Sequence, residues 1–167
     1  MGSGRLFWTL VFILAAALVP ASAYTVSFVV VETGLPEEQA FSEYSNFWES
    51  GLLDVFFDAG HIVSNAPVLR LDAPPAKQFP DEAAEALSEA NAGGADYFVL
   101  ALLDYRENGV SNTSPIPRPK QVSLRLFKTT PFRFVREEKF AGPQGTRAGE
   151  DFLSAKRAAM KILPYLE

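Results

Sequence analysis

Two carboxylates, one imidazole and a group of arginines are the side chains in this 167-residue sequence whose placement could do chemistry. Glu32 closes the run Y-T-V-S-F-V-V-V-E-T at 24–33, and Asp104 closes A-D-Y-F-V-L-A-L-L-D-Y at 95–105. Each run is nearly continuous in apolar character, the pattern of a strand buried on both faces. If the two strands are parallel, both carboxylates lie at carboxyl ends, where open α/β sheets bind ligands. Such a pair could share a magnesium ion or divide acid and base roles, yet two carboxylates alone leave a metal site incomplete. Glu32 and Asp104 are therefore ligand-binding candidates, and no catalytic residue, metal or cofactor is assigned.

The remaining candidates read as structure. His61 is the single histidine and there is no cysteine, so two-histidine metal motifs, thiol nucleophiles and disulfide frameworks are excluded. No G-x-S-x-G elbow accompanies His61, which is expected to satisfy carbonyls at a helix C-terminus. Asp54 and Asp58, four apart on a helix, read as a solvated edge. Gly142, Gly145 and Gly149 precede a helix as in a phosphate loop, but the spacing fails and no Gly-Lys-Ser/Thr follows.

Positive charge concentrates on one segment. Arg125, Lys128, Arg133, Arg136 and Lys139 interleave with Phe127, Phe132 and Phe134. A nucleic-acid platform would use such a mixture, but the formal charge of −5 argues against that partner. Upstream lies the polar stretch 106–119, stiffened by Pro115, Pro117 and Pro119. Arg106, Asn108, Pro117, Arg118, Arg125 and Arg133 are the candidate surface for a protein partner.

Elements that would position these residues follow from periodicity. Strand 24–33 ends at Gly34-Leu35-Pro36, and a helix is expected from Pro36 to about Ala59. Phe41, Tyr44, Trp48, Leu52, Val55, Phe56 and Ala59 form its apolar stripe, widened by Phe47, Leu53 and Phe57. Gly51 reads as a weak point within it, and Gly60 as its stop. Ile62 and Val63 start a short second strand. A Pro-interrupted connection, 68–80, leads to a helix capped by Asp81 and running through Asn91, with Ala84, Leu87 and Ala90 spaced along it. After the strand at 95–105 comes a half-exposed strand, Gln121 to Thr129, turning at Thr129-Thr130-Pro131 into Phe132 to Phe140 as a hairpin. A last helix spans Glu150 to Leu163. The order β-α-β-α-β-β-β-α predicts a single mixed α/β domain in two or three layers. Its first three strands are parallel and its C-terminal hairpin is antiparallel.

The N-terminus carries an address. Arg5 precedes an apolar run from Leu6 to Val19, broken only by Thr9, and Pro20-Ala21-Ser22-Ala23 supplies small residues at both key positions of an A-x-A site. This is the layout of a secretory signal peptide, with a core shorter than the roughly 20 residues that span a bilayer. Cleavage after Ala23 is expected, leaving 24–167 without a stable membrane anchor in a bacterial periplasm or at the cell surface.

The export signal, the strand-then-long-helix order and Gly94-Ala95-Asp96-Tyr97-Phe98-Val99-Leu100-Ala101 together resemble the envelope domains with an anticodon-binding-domain-like fold. These include curli secretion lipoproteins, outer-membrane activators of penicillin-binding proteins and the N-terminal domain of the Tol–Pal propeller protein. The stretches Phe47-Trp48-Glu49-Ser50-Gly51 and Asp58-Ala59-Gly60-His61-Ile62-Val63-Ser64-Asn65 also resemble exported bacterial proteins that carry no assigned activity. The resemblance implies a non-enzymatic module that binds another envelope protein. The lipoprotein members carry an acylated cysteine, which this sequence lacks. A small-ligand or glycan-binding module using the strand-end crevice is the alternative, and a carboxylate-dependent hydrolase is a third.

Overall fold

The structure is a computed structural model describing residues 23–35, 43–106, 118–143 and 149–166. The leader at 1–22 lies outside the described residues, as do Phe41, Asn108, Pro115, Pro117 and Gly145. The described elements are β1 (Thr25–Thr33), α1 (Glu43–Asp58), β2 (Ile62–Asn65), β3 (Leu69–Leu71), α2 (Ala84–Ala92), β4 (Tyr97–Asp104), β5 (Gln121–Lys128), β6 (Arg133–Ala141) and α3 (Glu150–Ile162). Single 3-10 turns stand before α2 at Asp81–Ala83 and after α3 at Leu163–Tyr165.

One open, six-stranded mixed sheet runs β2-β1-β4-β5-β6, with β3 also on β1. β2 pairs with Thr25 to Phe28 and β3 with Val31 to Thr33, so the two short strands share one edge of β1. Strands β1 to β4 are parallel, and β5 and β6 are antiparallel. The fold class is thus the expected mixed α/β sheet with an antiparallel hairpin. β3 is an addition, because Leu69-Arg70-Leu71 lies in the stretch read as a connection. Three residues are too few to show a period, and their pairing comes from the exposed edge of β1.

Helices cover both faces. On one, α1 and α3 bury Trp48, Leu52, Val55, Phe56, Ala155, Ala159 and Ile162 against Val26, Phe28, Val30, Val99, Leu124 and Leu126. On the other, Ala83, Ala86 and Ala90 pack against Val29, Val31, Phe98 and Leu100, and Phe79 joins them. Among the described residues no helix is long and apolar enough to cross a membrane.

Several local expectations shift. Phe57 is 72% exposed and Ala59 is exposed, so the stripe on α1 is narrower than its apolar residues suggest. Gly51 is buried at a close helix crossing. A Cβ there would stand 2.5 Å from Ala155 Cβ and 2.8 Å from the Phe152 carbonyl oxygen. Asp81 does not cap α2, and its carboxylate takes Lys77 Nζ at 2.5 Å instead. The 3-10 turn it opens sets the phase so that Ala86 and Ala90 face inward, whereas Ala84 is exposed. β5 is less open than its alternation implies. Ser123 is buried, and Arg125 lies under the 72–80 segment.

Candidate functional site

The strand ends place the two carboxylates apart. In the parallel register Glu32 stands beside Leu103, and Thr33 beside Asp104. Alternation along a strand then puts Glu32 on the α1/α3 face and Asp104 on the other. Glu32 is buried and pairs with Arg70 Nε of β3 at 3.3 Å. Asp104 faces a cleft, where it accepts Arg106 Nε at 3.0 Å, Arg106 Nη2 at 2.9 Å and the Arg106 backbone N–H at 3.1 Å. Burial alone would raise the Asp104 carboxyl, but these hydrogen bonds, the Arg106 charge and the Thr33 hydroxyl outweigh it and hold the group below the usual carboxylate range. The pair cannot share a metal ion or a substrate atom, because the sheet lies between them. No group of three metal-ligating side chains occurs among the described residues.

Arginines expected to form one partner surface divide between two ends of the sheet and its interior. Arg106 and Arg118 lie at the carboxyl end of β4, and Arg133 at the opposite end beside the hairpin turn. Arg118 is mostly covered and stands 3.7 Å from Asp151 Oδ2. Asp151 also accepts Trp48 Nε1 at 3.3 Å. Burial pushes the Asp151 carboxyl up, and the Trp48 hydrogen bond and the Arg118 charge only partly oppose that. This buried link between α1, α3 and the strand-end segment was invisible to sequence reading. An acidic residue in a helix's first turn normally announces only a favourable dipole.

Arg125 is a clamp. Its Nε meets Glu137 Oε1 at 2.7 Å, and its Nη1 meets the Lys77 and Gln78 carbonyls at 3.1 and 2.9 Å. The Ser123 hydroxyl donates to the same Glu137 oxygen at 2.7 Å. Hydrogen bonds from Arg125, burial's effect outweighed, keep the Glu137 carboxyl low. Arg125 therefore ties the 72–80 segment to the hairpin and offers little free surface.

At the hairpin turn the aromatics assemble. Phe127 is buried and stacks on Phe132 with centroids 5.5 Å apart at 9°, while Phe79 and Phe134 meet Phe127 edge-on at 5.2 and 5.7 Å. Phe132 and Phe134 nevertheless remain 49% and 37% exposed. Arg133 pairs with Lys128 across the hairpin, and alternation sends both to the face away from Phe127 and Phe134.

His61 differs from expectation. Its Nδ1 accepts the Tyr24 backbone N–H at 3.2 Å, and the two rings lie 5.8 Å apart. It thus fastens the start of β1 rather than helix carbonyls. Gly142 also has a packing role: a Cβ there would overlap the Pro119 carbonyl, and its N–H donates to the Lys120 carbonyl at 2.8 Å.

The architecture defines a class: an open mixed sheet with helices on both faces. No protein-family model matches the chain, and no curated protein matches it by sequence. Solved bacterial α/β structures do align. A PelC dodecamer from Paraburkholderia phytofirmans aligns at 17% identity and a TM-score of 0.48, over 87% of this chain and 90% of that one. TolB from Acinetobacter baumannii aligns at 13% identity and 0.43, over 86% of this chain and 28% of that one. A CinA-superfamily protein from Enterobacter cloacae aligns at 11% identity and 0.42, over 92% and 88%. Likeness at this level describes a chain path and transfers no activity.

Proposed function

We propose that this chain is an exported, non-enzymatic module of the bacterial cell envelope that binds another envelope protein through the tip of its β5–β6 hairpin. The observation that carries the reading is the aromatic ledge. Phe132 and Phe134 stay exposed although both rest on buried Phe127, with half-buried Phe79 edge-on to Phe132. Rigid aromatics on a fixed base have the composition of interface hot spots. The underlying stack fixes the ring positions before a partner arrives, which lowers the entropy lost on docking. Support for export comes from the Arg5, Leu6–Val19 and Ala21-x-Ala23 series.

Site-specific photocrosslinking in cells that make the full chain tests both parts. A photoreactive residue at position 134 should give a discrete protein adduct, lost when Phe132→Ser is added. The same probe at exposed Leu153 on α3 should not give that adduct. Intact mass of the captured protein should correspond to a start at Tyr24. Equal adducts from 134 and 153, or none from 134, would refute the ledge. A product retaining residues 1–23 would refute the processing.

A further inference from the structure

Among the described residues, neither α2 nor the 72–80 segment lines a cleft at one corner of the sheet. There the end of β4, the start of β5 and the end of β6 lie side by side, in the register Asp104–Gln121–Ala141. Lys139 stands opposite Ser123, two residues along β6 from Ala141, and so on the same face. Together with Arg106 and Lys120 these residues line a cleft of about 660 Å³. That volume suits a small molecule, and the carboxyl edge of a parallel strand is where such molecules settle in open α/β sheets.

The charges in this cleft do not cancel. Among the described residues that line it, Asp104 is the one carboxylate, and it is taken up by Arg106 through both side-chain oxygens. Lys120 forms no ion pair among the described residues, although its backbone is fixed by its N–H to the Asp104 carbonyl at 2.7 Å. Lys139 meets Glu137 Oε2 at 3.5 Å, the loosest contact of that carboxylate, whose other oxygen holds Arg125 and Ser123 at 2.7 Å each. Lys139 remains 58% exposed and can turn toward the cleft. Two ammonium groups thus flank a pocket whose own anion is already spent, with the Gln121 amide beside them.

We propose that this cleft binds a small ligand bearing a carboxylate or phosphate group, held between Lys120 and Lys139 and oriented by Gln121. The ligand's oxygens accept from the two ammoniums, and the Asp104–Arg106 pair forms the wall. The site lies at the opposite end of the hairpin from the aromatic ledge, so it stands or falls independently of the partner surface.

Amide NMR titration of the folded chain tests this, using inorganic phosphate and succinate as probes and chloride at matched ionic strength as the control. At least one probe should give saturable shifts concentrated at Lys120, Gln121, Lys139 and Ala141. The Lys120→Gln/Lys139→Gln variant should weaken it by at least about fivefold, as expected from losing two charge-assisted contacts. Lys128→Gln, at the other end of β5, should leave the affinity unchanged. Preference for phosphate over succinate, or the reverse, tells a phosphate ester from a carboxylic acid as the natural ligand. Absence of saturation with both probes, equal shifts with chloride, or unchanged affinity in the double variant would overturn the proposal.

Discussion

Replacing Gly51 with alanine sets helix propensity against helix packing. Gly51 lies within the 16-residue helix α1, where an exposed Gly→Ala change should stabilise by about 1 kcal/mol. The structure predicts the opposite sign. A new Cβ would sit 2.5 Å from Ala155 Cβ and 2.8 Å from the Phe152 carbonyl oxygen, against about 3.5–4.0 Å for a comfortable carbon contact. The second neighbour is backbone and cannot swing away, so α1 and α3 must separate. Overpacking of this kind costs about 1–3 kcal/mol, which outweighs or matches the propensity gain and leaves a net loss of up to about 2 kcal/mol. For a chain of this size each 1 kcal/mol lowers the melting temperature by about 2–4 °C. Urea unfolding followed by tryptophan fluorescence measures the effect, since Trp48 lies on the same helix. Adding Ala155→Gly to Gly51→Ala should relieve the Cβ–Cβ contact, though not that with the Phe152 carbonyl, and give a favourable coupling above about 0.5 kcal/mol in a double-mutant cycle. A Gly51→Ala protein more stable than its parent would show that the helices do not cross there.

Two further expectations concern protons. Asp151 is buried and its carboxyl is raised, so the folded state holds a proton where the unfolded chain has released it. Stability from this group is therefore greatest at low pH and falls as pH rises from the ordinary carboxylate range through the raised folded value. Asp151→Asn removes that slope, and the variant should gain on its parent across that window in urea titrations; an unchanged or reversed difference would contradict the burial. His61 is the single histidine, so its ring signal in proton NMR is unambiguous. Burial lowers its pKa below the ordinary value of 6.5, and the Tyr24 N–H requires a free lone pair on Nδ1. The titration should fall below that of a model histidine; a value at or above the ordinary one would contradict the burial.

The sequence was most readable where burial is continuous. β1 and β4 declare themselves because both faces are covered, so their interiors are apolar apart from the small, buried Ser27. The stripe Trp48, Leu52, Val55, Phe56 on α1 was legible for a similar reason, and all four are buried. The candidate site was less legible, because it depends on a single unit of register. Glu32 and Asp104 both end apolar runs, yet the pairing sets Asp104 beside Thr33 and so reverses its face relative to Glu32. Register between strands separated by more than sixty residues leaves no local mark, and a shift of one moves every side chain to the other face. Arg125 and Arg118 posed a related difficulty. Arginine's charge suggests surface, whereas its long stem and fork let it span from a strand to distant carbonyls or a buried carboxylate.

That fork decides how the hairpin works as a unit. Arg125 sits midway along β5 and is held from three sides, by Glu137 on β6 and by the Lys77 and Gln78 carbonyls. Phe79, the next residue, completes the aromatic stack at the turn. The clamp therefore holds the base of the ledge and also engages Glu137, the carboxylate that Lys139 touches at the far end. The two surfaces lie at opposite ends of one braced ribbon, with separate side chains and a shared support. Changes confined to Phe132 or Phe134 should leave the lysine cleft intact, and changes at Lys120 should leave the ledge intact. Loss of Arg125 alone would loosen both together, because the half-buried Glu137 carboxylate would lose its charged donor and two carbonyls would lose theirs at once.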